Sequence, residues 1–384
     1  MNFDLDEELQ AIQQAAREFA EKEIAPTVDE DDRAHRFRKD LVRKMGELGF
    51  FGCVVPEEYG GTNSGWISLV IITEEIARIH SSMRVAINMQ VGPARAVVDF
   101  GTEEQKQRFV PKIVSAEWLS CFAITEPDAG SDVGAMRTTA IKDGDHYVLN
   151  GSKTWISNAQ VADVALVYAY TDPKTKYKGM SAFMVDLHSP GVTSKPIAEK
   201  LGALASPTGE LFFDNCRVPK ENLLGKEGDG FKICMTELNS TRLSCGAGAV
   251  GVARACREAA VQYANQRVQF GQKIAEFQMI QDMIAQMLVQ EEAARLLLYR
   301  AAAIKDQGRP NTLETSMAKY YAGEACAYAA DCALKIYGAY GYSGEYPIER
   351  YFRDSRSYQI VEGSANIQKV IIAQDALGLR KANR

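Results

Sequence analysis

Residues 122–132 read FAITEPDAGSD, and the spacing of apolar residues along the chain changes at this stretch. A short apolar run at 122–124 leads into residues 127–130 (PDAG), a composition that favours a tight turn. Before the stretch, apolar residues recur every three or four positions, which indicates helices. After it, short apolar runs alternate with turn residues, which indicates strands. The stretch therefore predicts the start of a β domain that follows a helical one.

Helical spacing is clearest in the first 120 residues. One apolar stripe consists of Leu5, Leu9, Ile12, Ala16 and Phe19. The apolar run at 69–72, continued by Ile76 and Ile79, predicts a second helix that is well buried. Residues 56–61 (PEEYGG) lie between the two and are rich in helix breakers, so they predict a loop.

Strands are predicted immediately after the 122–132 stretch. We expect a β-hairpin in which Asn150 and Gly151 form the turn between strands at 147–149 and 153–156, because Asn-Gly suits a tight turn with positive φ. Further strands are predicted at 164–170, 181–185 and 210–213. Together these segments indicate a small β domain of about one hundred residues.

Helix formers return after residue 229. The alanine-rich segments 291–303 and 324–336 contain no glycine or proline, so we expect long helices that pack on one another. The predicted fold class is α+β. Its three parts are an N-terminal helical domain at 1–120, a central β domain at 121–228 and a C-terminal helical bundle at 229–384.

A glycine pattern at 246–251, GAGAVG, satisfies the dinucleotide-binding consensus G-x-G-x-x-G. That function requires a preceding strand, whereas the flanks at 241–243 and 253–255 read as one continuous helix. We therefore interpret the small residues as positions of close helix packing and not as a nucleotide site.

Composition limits the classes of partner. The net charge of the 384 residues is −6, which argues against nucleic acid or anionic membranes as partners. There is no run of about 18 apolar residues, so no membrane span is expected. The start MNFDLDEE lacks the basic and apolar regions of a signal peptide, and we expect a cytoplasmic protein. The eight cysteines include no C-x-x-C pair, so we expect reduced, mostly buried thiols and no metal site.

Residues 360–368 read IVEGSANIQ and contain the strongest candidate for a catalytic group. A glutamate next to a helix is most often a solvated surface residue. Here two apolar residues precede Glu362, and Gly363 and Ser364 follow it at the start of a predicted helix. A carboxylate at such an apolar turn is suited to act as a general base.

Five segments of the chain resemble the acyl-CoA dehydrogenase family, and the resemblance covers essentially the whole length. The segments are 122–132, 153–158 (KTWISN), 267–271 (RVQFG), 336–342 (IYGAYGY) and 360–368. The resemblance implies the fold of that family, with a barrel-like central domain, and a bound FAD. It also implies an acyl-CoA substrate, electron-transferring flavoprotein as the electron acceptor, and a homo-oligomer, which in that family is a tetramer.

The resemblance also assigns roles to individual residues. Glu362 takes the place of the base that removes the α-proton of the substrate. The residues expected to bind FAD are Phe122, Ile124, Thr125, Gly130, Ser131, Trp155, Ser157, Arg267, Phe270, Gly338, Ser364 and Asn366. The residues expected to contact the substrate are Arg84, Ser131, Arg242, Val361 and Gly363. Some family members carry the base at the position of Thr241, and the threonine in this chain supports Glu362 instead.

Two of these positions imply a site shared between subunits. In the family, the residue at Arg267 binds the FAD pyrophosphate of a neighbouring subunit, a contact that suits the fork of a guanidinium. The turn at Gly338 approaches the adenine end from another subunit. In that turn the family often has glutamine at the position of Lys335 and glycine at that of Ala339, so only Gly338 is assigned a role.

Three residues narrow the choice of the acyl group that the substrate carries. Arg84 resembles the arginine with which the glutaryl-CoA dehydrogenase branch pairs the free carboxylate of its substrate, a partner that a buried arginine needs. Decarboxylating members of that branch have tyrosine at the position of Val361 and an acidic residue at that of Ala77. Because both polar groups are absent, the resemblance predicts oxidation of glutaryl-CoA to glutaconyl-CoA without decarboxylation.

Four alternatives stay open at this point. The substrate could be an alicyclic thioester, such as cyclohexanecarboxyl-CoA, or a short-chain aliphatic one. The enzyme could be an acyl-CoA oxidase that reacts with oxygen. The chain could also be a helical scaffold or assembly factor that has kept the fold and lost the chemistry.

Overall fold

Six α-helices precede the first strand in the computed structural model, which describes residues 4–383. They are α1 Glu7–Phe19, α2 Val28–Arg33, α3 Lys39–Glu47, α4 Trp66–Ile79, α5 Ser81–Phe100 and α6 Glu103–Val114. The predicted buried helix is confirmed by α4, in which almost every residue is inaccessible. Only His80 separates α4 from α5, so the two helices meet at a sharp corner.

Eight strands of the described chain form one mixed sheet. They are β1 Ser120–Ala123, β2 Thr139–Asp143, β3 His146–Ser157, β4 Val164–Tyr170, β5 Met180–Asp186, β6 Val192–Pro196, β7 Thr208–Pro219 and β8 Leu223–Leu224. The strand order is β6-β7-β3-β2-β4-β5-β8, with β1 parallel to β4 on the side of that path. Every residue of β4 is buried, as its unbroken apolar sequence predicts.

The predicted hairpin at Asn150 and Gly151 is wrong, because both residues lie inside the continuous strand β3. Pairing of β3 with β7 shifts register between Leu149 and Gly151, so the glycine marks a bulge and not a turn. Gly151 has φ +144° and lies against Thr138, where a side chain would not fit. The hairpin turn is at Gly144, which has φ +61° and joins β2 to β3.

Long helices dominate the rest of the chain. They are α7 Gly230–Gln266, α8 Gln278–Asp306, α9 Thr312–Tyr337, α10 Ile348–Ser355 and α11 Ala365–Ala376. A two-stranded ribbon, β9 Val268–Gln269 with β10 Gln272–Lys273, separates α7 from α8. Helix α7 packs against α4, α5, α8 and α9, so it connects both helical regions. The predicted α+β class, in the order helical, β, helical, is confirmed.

The glycine pattern at 246–251 lies in the middle of α7, as the packing interpretation predicts. A Cβ on Gly246 would meet Leu298 of α8, and one on Gly248 would meet Arg84 of α5. At Gly251 the backbone carbonyl of Glu74 in α4 occupies the same space. The missing side chains therefore let three helices approach the α7 backbone.

Buried ion pairs join α1, α4, α7 and α8. The carboxylates of this network belong to Glu74, Glu75 and Glu291, all of them buried. The partner guanidinium groups belong to Arg17, Arg78, Arg254, Arg257 and Arg295. Each of these three carboxylates has at least two arginine partners, so none of them is buried without a counter-charge.

All eight cysteines are buried and free of disulfides, which confirms the expectation for the thiols. Burial raises the pKa of each of these thiols. No helix within residues 4–383 is both long and apolar enough to cross a membrane. The same residues hold no cluster of three His, Cys, Asp or Glu side chains suited to a metal ion.

Substitution of Gly251 by alanine is expected to destabilise the protein. The added methyl group would overlap the carbonyl of Glu74 and force α4 away from α7. Overpacking of this kind costs about 1 to 3 kcal/mol in the free energy of unfolding. The control is Gly344→Ala, where nothing lies within 4 Å of the new Cβ and the change should stay within about 0.5 kcal/mol. Equal midpoints of urea unfolding for the two variants would contradict the close contact.

Candidate active site

Glu362 lies in a turn whose backbone is left-handed. Its φ is +58° and that of Gly363 is +81°. The left-handed conformation is ordinary for glycine but costs a residue with a side chain about 1 to 2 kcal/mol. Ser364 then caps α11 by accepting the N–H of Ile367 at 3.4 Å. The turn thus places Glu362 immediately before a helix, as the sequence predicts, in a conformation that the surroundings must hold.

Two buried cations hold the backbone of this turn. The Arg242 Nε donates to the carbonyl oxygen of Glu362 at 3.0 Å, and the Lys319 Nζ donates to that of Gly363 at 2.8 Å. Gln368 Nε2 donates to the same Gly363 oxygen at 3.0 Å. Burial lowers the pKa of both Lys319 and Arg242. These charge-assisted bonds stabilise the unusual backbone.

Two further residues orient the carboxylate itself. Thr241 Oγ1 donates to Glu362 Oε2 at 2.6 Å, and Asn88 Nδ2 donates to Oε1 at 3.2 Å. Thr241 comes from α7 and Asn88 from α5, so each carboxylate oxygen is fixed by a different helix. The N–H of Glu362 donates to no acceptor in the described chain. A carbonyl group bound in front of the turn can therefore take that hydrogen bond.

Sequence reasoning missed Lys319 and Asn88. Lys319 is only 1% exposed and falls on the buried stripe of α9 with Ala322 and Cys326. A lysine on an apolar helical stripe is the signal that could have found it. Asn88 follows Arg84 by one helical turn, so the two share a face of α5.

The 122–132 stretch is held in place by a buried ion pair. Lys153 Nζ contacts Glu126 Oε1 at 2.7 Å, and Glu126 also accepts the N–H of Thr138 at 3.0 Å. The N–H of Thr154 donates to the carbonyl of Thr125 at 2.9 Å. These bonds tie the predicted cofactor segment to β3, which contains the KTWISN motif.

A bulge in β3 turns Trp155 towards solvent. The register with β7 shifts between Lys153 and Ile156, and Trp155 has φ +59° with 59% of its surface exposed. The hydroxyl groups of Thr125, Ser131 and Ser157 form no hydrogen bond with the described residues, and a Cβ on Gly130 would meet open space. Phe122 is half-buried and Ile124 is buried beneath this surface. A free aromatic face beside free hydroxyl groups suits a flat ring with polar edges.

The other residues predicted to bind FAD form two separate groups. Ser364 and Asn366 lie at the Glu362 turn, with Asn366 exposed. Arg267, Phe270 and Gly338 lie at the ends of α7 and α9, where the Arg267 guanidinium is 5.4 Å from the ring of Tyr340. Phe270 has φ +53° and is 95% exposed. Within residues 4–383, no hydrogen bond or ion pair joins Arg267 to Trp155 or Thr125.

Arg84 is 4% exposed and has no carboxylate partner among the residues that the structure describes. Its guanidinium lies over the ring of Tyr358 at 4.9 Å, and its Nε has no hydrogen-bond partner there. The Tyr358 hydroxyl pairs with Ser81 Oγ at 2.8 Å. Val361 is exposed beside Glu362, whereas Ala77 is buried in the contact of α4 with Gly251.

Comparison with known proteins gives consistent matches along the whole chain. Family models described as the N-terminal, middle and C-terminal domains of acyl-CoA dehydrogenase match residues 6–117, 121–216 and 228–377. A glutaryl-CoA dehydrogenase from Desulfococcus multivorans is 56% identical over 390 residues, which cover 100% of each chain. The chain belongs to the acyl-CoA dehydrogenase family. Members of this family are flavoproteins, and the chain is accordingly assigned as an oxidoreductase of that kind.

Other acyl-CoA dehydrogenase relatives differ in the reaction that their names state. An acryloyl-CoA reductase (NADH) from Anaerotignum propionicum is 41% identical, covering 98% of this chain and 96% of that one. A solved glutaryl-coenzyme A dehydrogenase in complex with glutaryl-CoA superposes with a TM-score of 0.98 at 56% identity. That alignment covers 100% of this chain and 98% of the solved chain. The exposed ring of Trp155 and the unbonded hydroxyl groups of Thr125, Ser131 and Ser157 are chemically suited to the flavin of such an enzyme.

Substitution of Arg84 by methionine is expected to stabilise the ligand-free protein. Methionine fills a similar volume, and the buried cation without a counter-ion is removed, so the free energy of unfolding should rise by about 1 kcal/mol or more. Arg295→Met is the matched control, because Arg295 pairs with Glu74 and Glu291 and its loss should cost about 3 kcal/mol. Urea unfolding of both variants measures the difference. A loss of stability in Arg84→Met similar to that of the control would mean that Arg84 already has a partner.

Proposed function

We propose that this acyl-CoA dehydrogenase binds FAD and oxidises glutaryl-CoA to glutaconyl-CoA without releasing carbon dioxide. The main support is the buried Arg84, which lacks a carboxylate partner in the described chain and lies one helical turn from Asn88. Asn88 in turn contacts Glu362. A cation one helical turn from the residue that contacts Glu362 suits the free carboxylate of a dicarboxylic acyl group.

In this proposal Glu362 is the base that removes the α-proton of the thioester. Asn88 and Thr241 fix its two oxygens, so the carboxylate is oriented before the substrate arrives. The free N–H of Glu362 donates to the thioester carbonyl, which stabilises the negative charge that develops there. The chemistry that FAD supplies in this family is acceptance of the hydride that leaves the β-carbon.

Specificity for a carboxylate follows from the setting of Arg84. Inside a protein, a guanidinium without a counter-ion is costly, and a bound carboxylate removes that cost. The ring of Tyr358 lies 4.9 Å from the centre of the guanidinium and supports the cation through its π face. The similarity to a glutaryl-CoA dehydrogenase agrees with this choice of substrate.

Absence of decarboxylation is inferred from two apolar residues. Val361 precedes the base where decarboxylating relatives have a phenol, and Ala77 stands where they have an acid. Val361 provides no proton donor, and Ala77 packs against the α7 backbone with no polar atom. The two side chains that would assist the departure of carbon dioxide and reprotonation of the product are therefore missing from these positions.

We further propose that a second subunit completes the FAD site. Arg267 and Gly338 lie on a surface of the helical bundle that also exposes apolar side chains. The exposed apolar side chains of the bundle include Phe270, Met279, Val289 and Tyr342. Exposed apolar surface of this kind is typical of protein interfaces, and a tetramer would bury it. Electron-transferring flavoprotein is the proposed acceptor and the cytoplasm the proposed location.

Substitution of Glu362 by glutamine is expected to abolish turnover while flavin and acyl-CoA remain bound. The amide keeps the shape but cannot accept a proton, and loss of a general base typically costs about 10² to 10⁴-fold. The rate of anaerobic flavin bleaching by the thioester measures the step. Glu345→Gln, at an exposed position, is the control. If the bleaching rate of Glu362→Gln fell by only about threefold or less, a loss well below that range, Glu362 would not be the base.

Arg84→Met is expected to lose at least about 30-fold in kcat/KM on glutaryl-CoA, because a buried charge-assisted pair is worth about 2 to 5 kcal/mol. The loss on butyryl-CoA should be much smaller, since that substrate has no carboxylate. Mass analysis of the wild-type product should find glutaconyl-CoA and little crotonyl-CoA. Bleaching of the wild type by cyclic or simple aliphatic thioesters alone would reject the carboxylate assignment. Oxygen consumption without added acceptor would instead indicate an oxidase, and a protein that takes up no flavin would indicate a scaffold.

A further inference from the structure

A second carboxyl group, that of Glu237, lies near the turn of Glu362. Glu237 precedes Thr241 by one turn of α7 and is 4% exposed. The Tyr168 hydroxyl of β4 donates to its Oε2, and its Oε1 has no hydrogen-bond partner in the described chain. A Cβ on Gly92 of α5 would lie 2.9 Å from this Oε1 and 3.1 Å from Thr241 Cγ2. Glu237 is therefore enclosed between α7, α5 and the sheet.

The charged and titratable groups around Glu237 leave it without a cation. Those that face it or its neighbours are Tyr168, Cys121, Cys234, Lys153, Arg242 and Glu362. Of the two cations, Lys153 is paired with Glu126, and Arg242 is bound to the carbonyl of Glu362. Burial raises the pKa of Glu237 to about 8. The hydrogen bond from Tyr168 lowers this pKa, and the negative charge of Glu362 raises it by a smaller amount than burial does. The unpartnered Oε1 and the lack of a cation beside it favour the protonated, uncharged form of this side chain.

We propose that Glu237 is a positioning residue of the active site, which keeps Thr241 and α5 against Glu362 only while it is uncharged. The inference rests on the proposed role of Glu362 as the base. A carboxylate without a cation cannot stay in this enclosed position when it ionises, because its desolvation costs too much. The contact of α7 with α5 must then open to admit water. Thr241 and Asn88, which come from these two helices, lose their places on Glu362 as a result.

The sign of the pH effect follows from the raised pKa. The folded protein holds the Glu237 proton more tightly than the unfolded chain, whose carboxyl titrates near its ordinary value of 4.5. The stabilising contribution of the proton is complete at low pH and is lost as the pH rises through about 8. The site should therefore lose activity and stability together on the alkaline side.

The test compares Glu237→Gln with the wild-type holoenzyme by the rate of anaerobic flavin bleaching with glutaryl-CoA at pH 7 and pH 9. Titration near pH 8 should lower the wild-type rate about tenfold between the two conditions, and the glutamine variant should lack that fall. Tyr168→Phe removes a hydrogen bond that lowers the pKa of Glu237. The bleaching rate of this variant should therefore fall at a higher pH than the wild-type rate does. A residue with only a packing role would instead change the rate by the same factor at every pH.

Other groups titrate in the same range. Burial lowers the pKa of Lys200 and of Lys305 to about 8 each. Both lysines are present in the wild type and in Glu237→Gln, so the ratio of the two pH profiles isolates Glu237. The thermal midpoint should follow the same pattern, with the wild type losing more than the variant between pH 7 and pH 9.

An infrared measurement makes the test independent of turnover. The carbonyl band of a protonated carboxylic acid should be present in the wild type at pH 7, lost on titration to pH 10 and absent from Glu237→Gln. The inference is overturned if the two proteins share one pH profile of the bleaching rate, or if Glu237 is ionised at pH 7. If no acyl-CoA bleaches the wild type, the proposed function fails, while the infrared band still decides the state of Glu237. Should the glutamine variant fail to fold, Tyr168→Phe carries the same test.

Discussion

The left-handed backbone of Glu362 is the constraint around which the active site is arranged. A residue with a side chain resists this conformation, so its persistence depends on bonds from outside the turn. Arg242 and Lys319 supply them through the two carbonyl oxygens, and Thr241 and Asn88 hold the carboxylate. Three long helices, α5, α7 and α9, must therefore meet at one point. The crossing of these helices, made close by small residues in α7, follows from this requirement.

Buried charge is treated in two ways in the helical regions. The carboxylates of Glu74, Glu75 and Glu291 are each shared by several arginines, which is an arrangement that neutralises charge. Arg84 has no such partner in the described chain, although it lies in the same kind of interior. A buried cation with no carboxylate partner is typical of a site prepared for a ligand of opposite charge.

Local patterns in the sequence predict most of the fold, whereas contacts between distant residues escape them. The unbroken apolar run of β4 and the periodic residues of α4 identify both elements, because burial follows directly from such patterns. The pair Asn150 and Gly151 predicts a turn by its sequence but forms a bulge, because glycine with positive φ is favoured in both structures. Glu362 was identifiable as the candidate base through family resemblance. Its supports were not, because Lys319 meets Gly363 only through the packing of α9, 44 residues away in the sequence.

The buried thiols have a practical consequence. A thiol must be ionised and reachable to react, and all eight cysteines fail both conditions. The folded protein should therefore not react with thiol-directed dyes or spin labels. One cysteine introduced on the central sheet and another on the helical bundle would be the only reactive positions, without removal of any natural residue. Distances between such probes would report how the sheet and the helical bundle are placed relative to one another in solution.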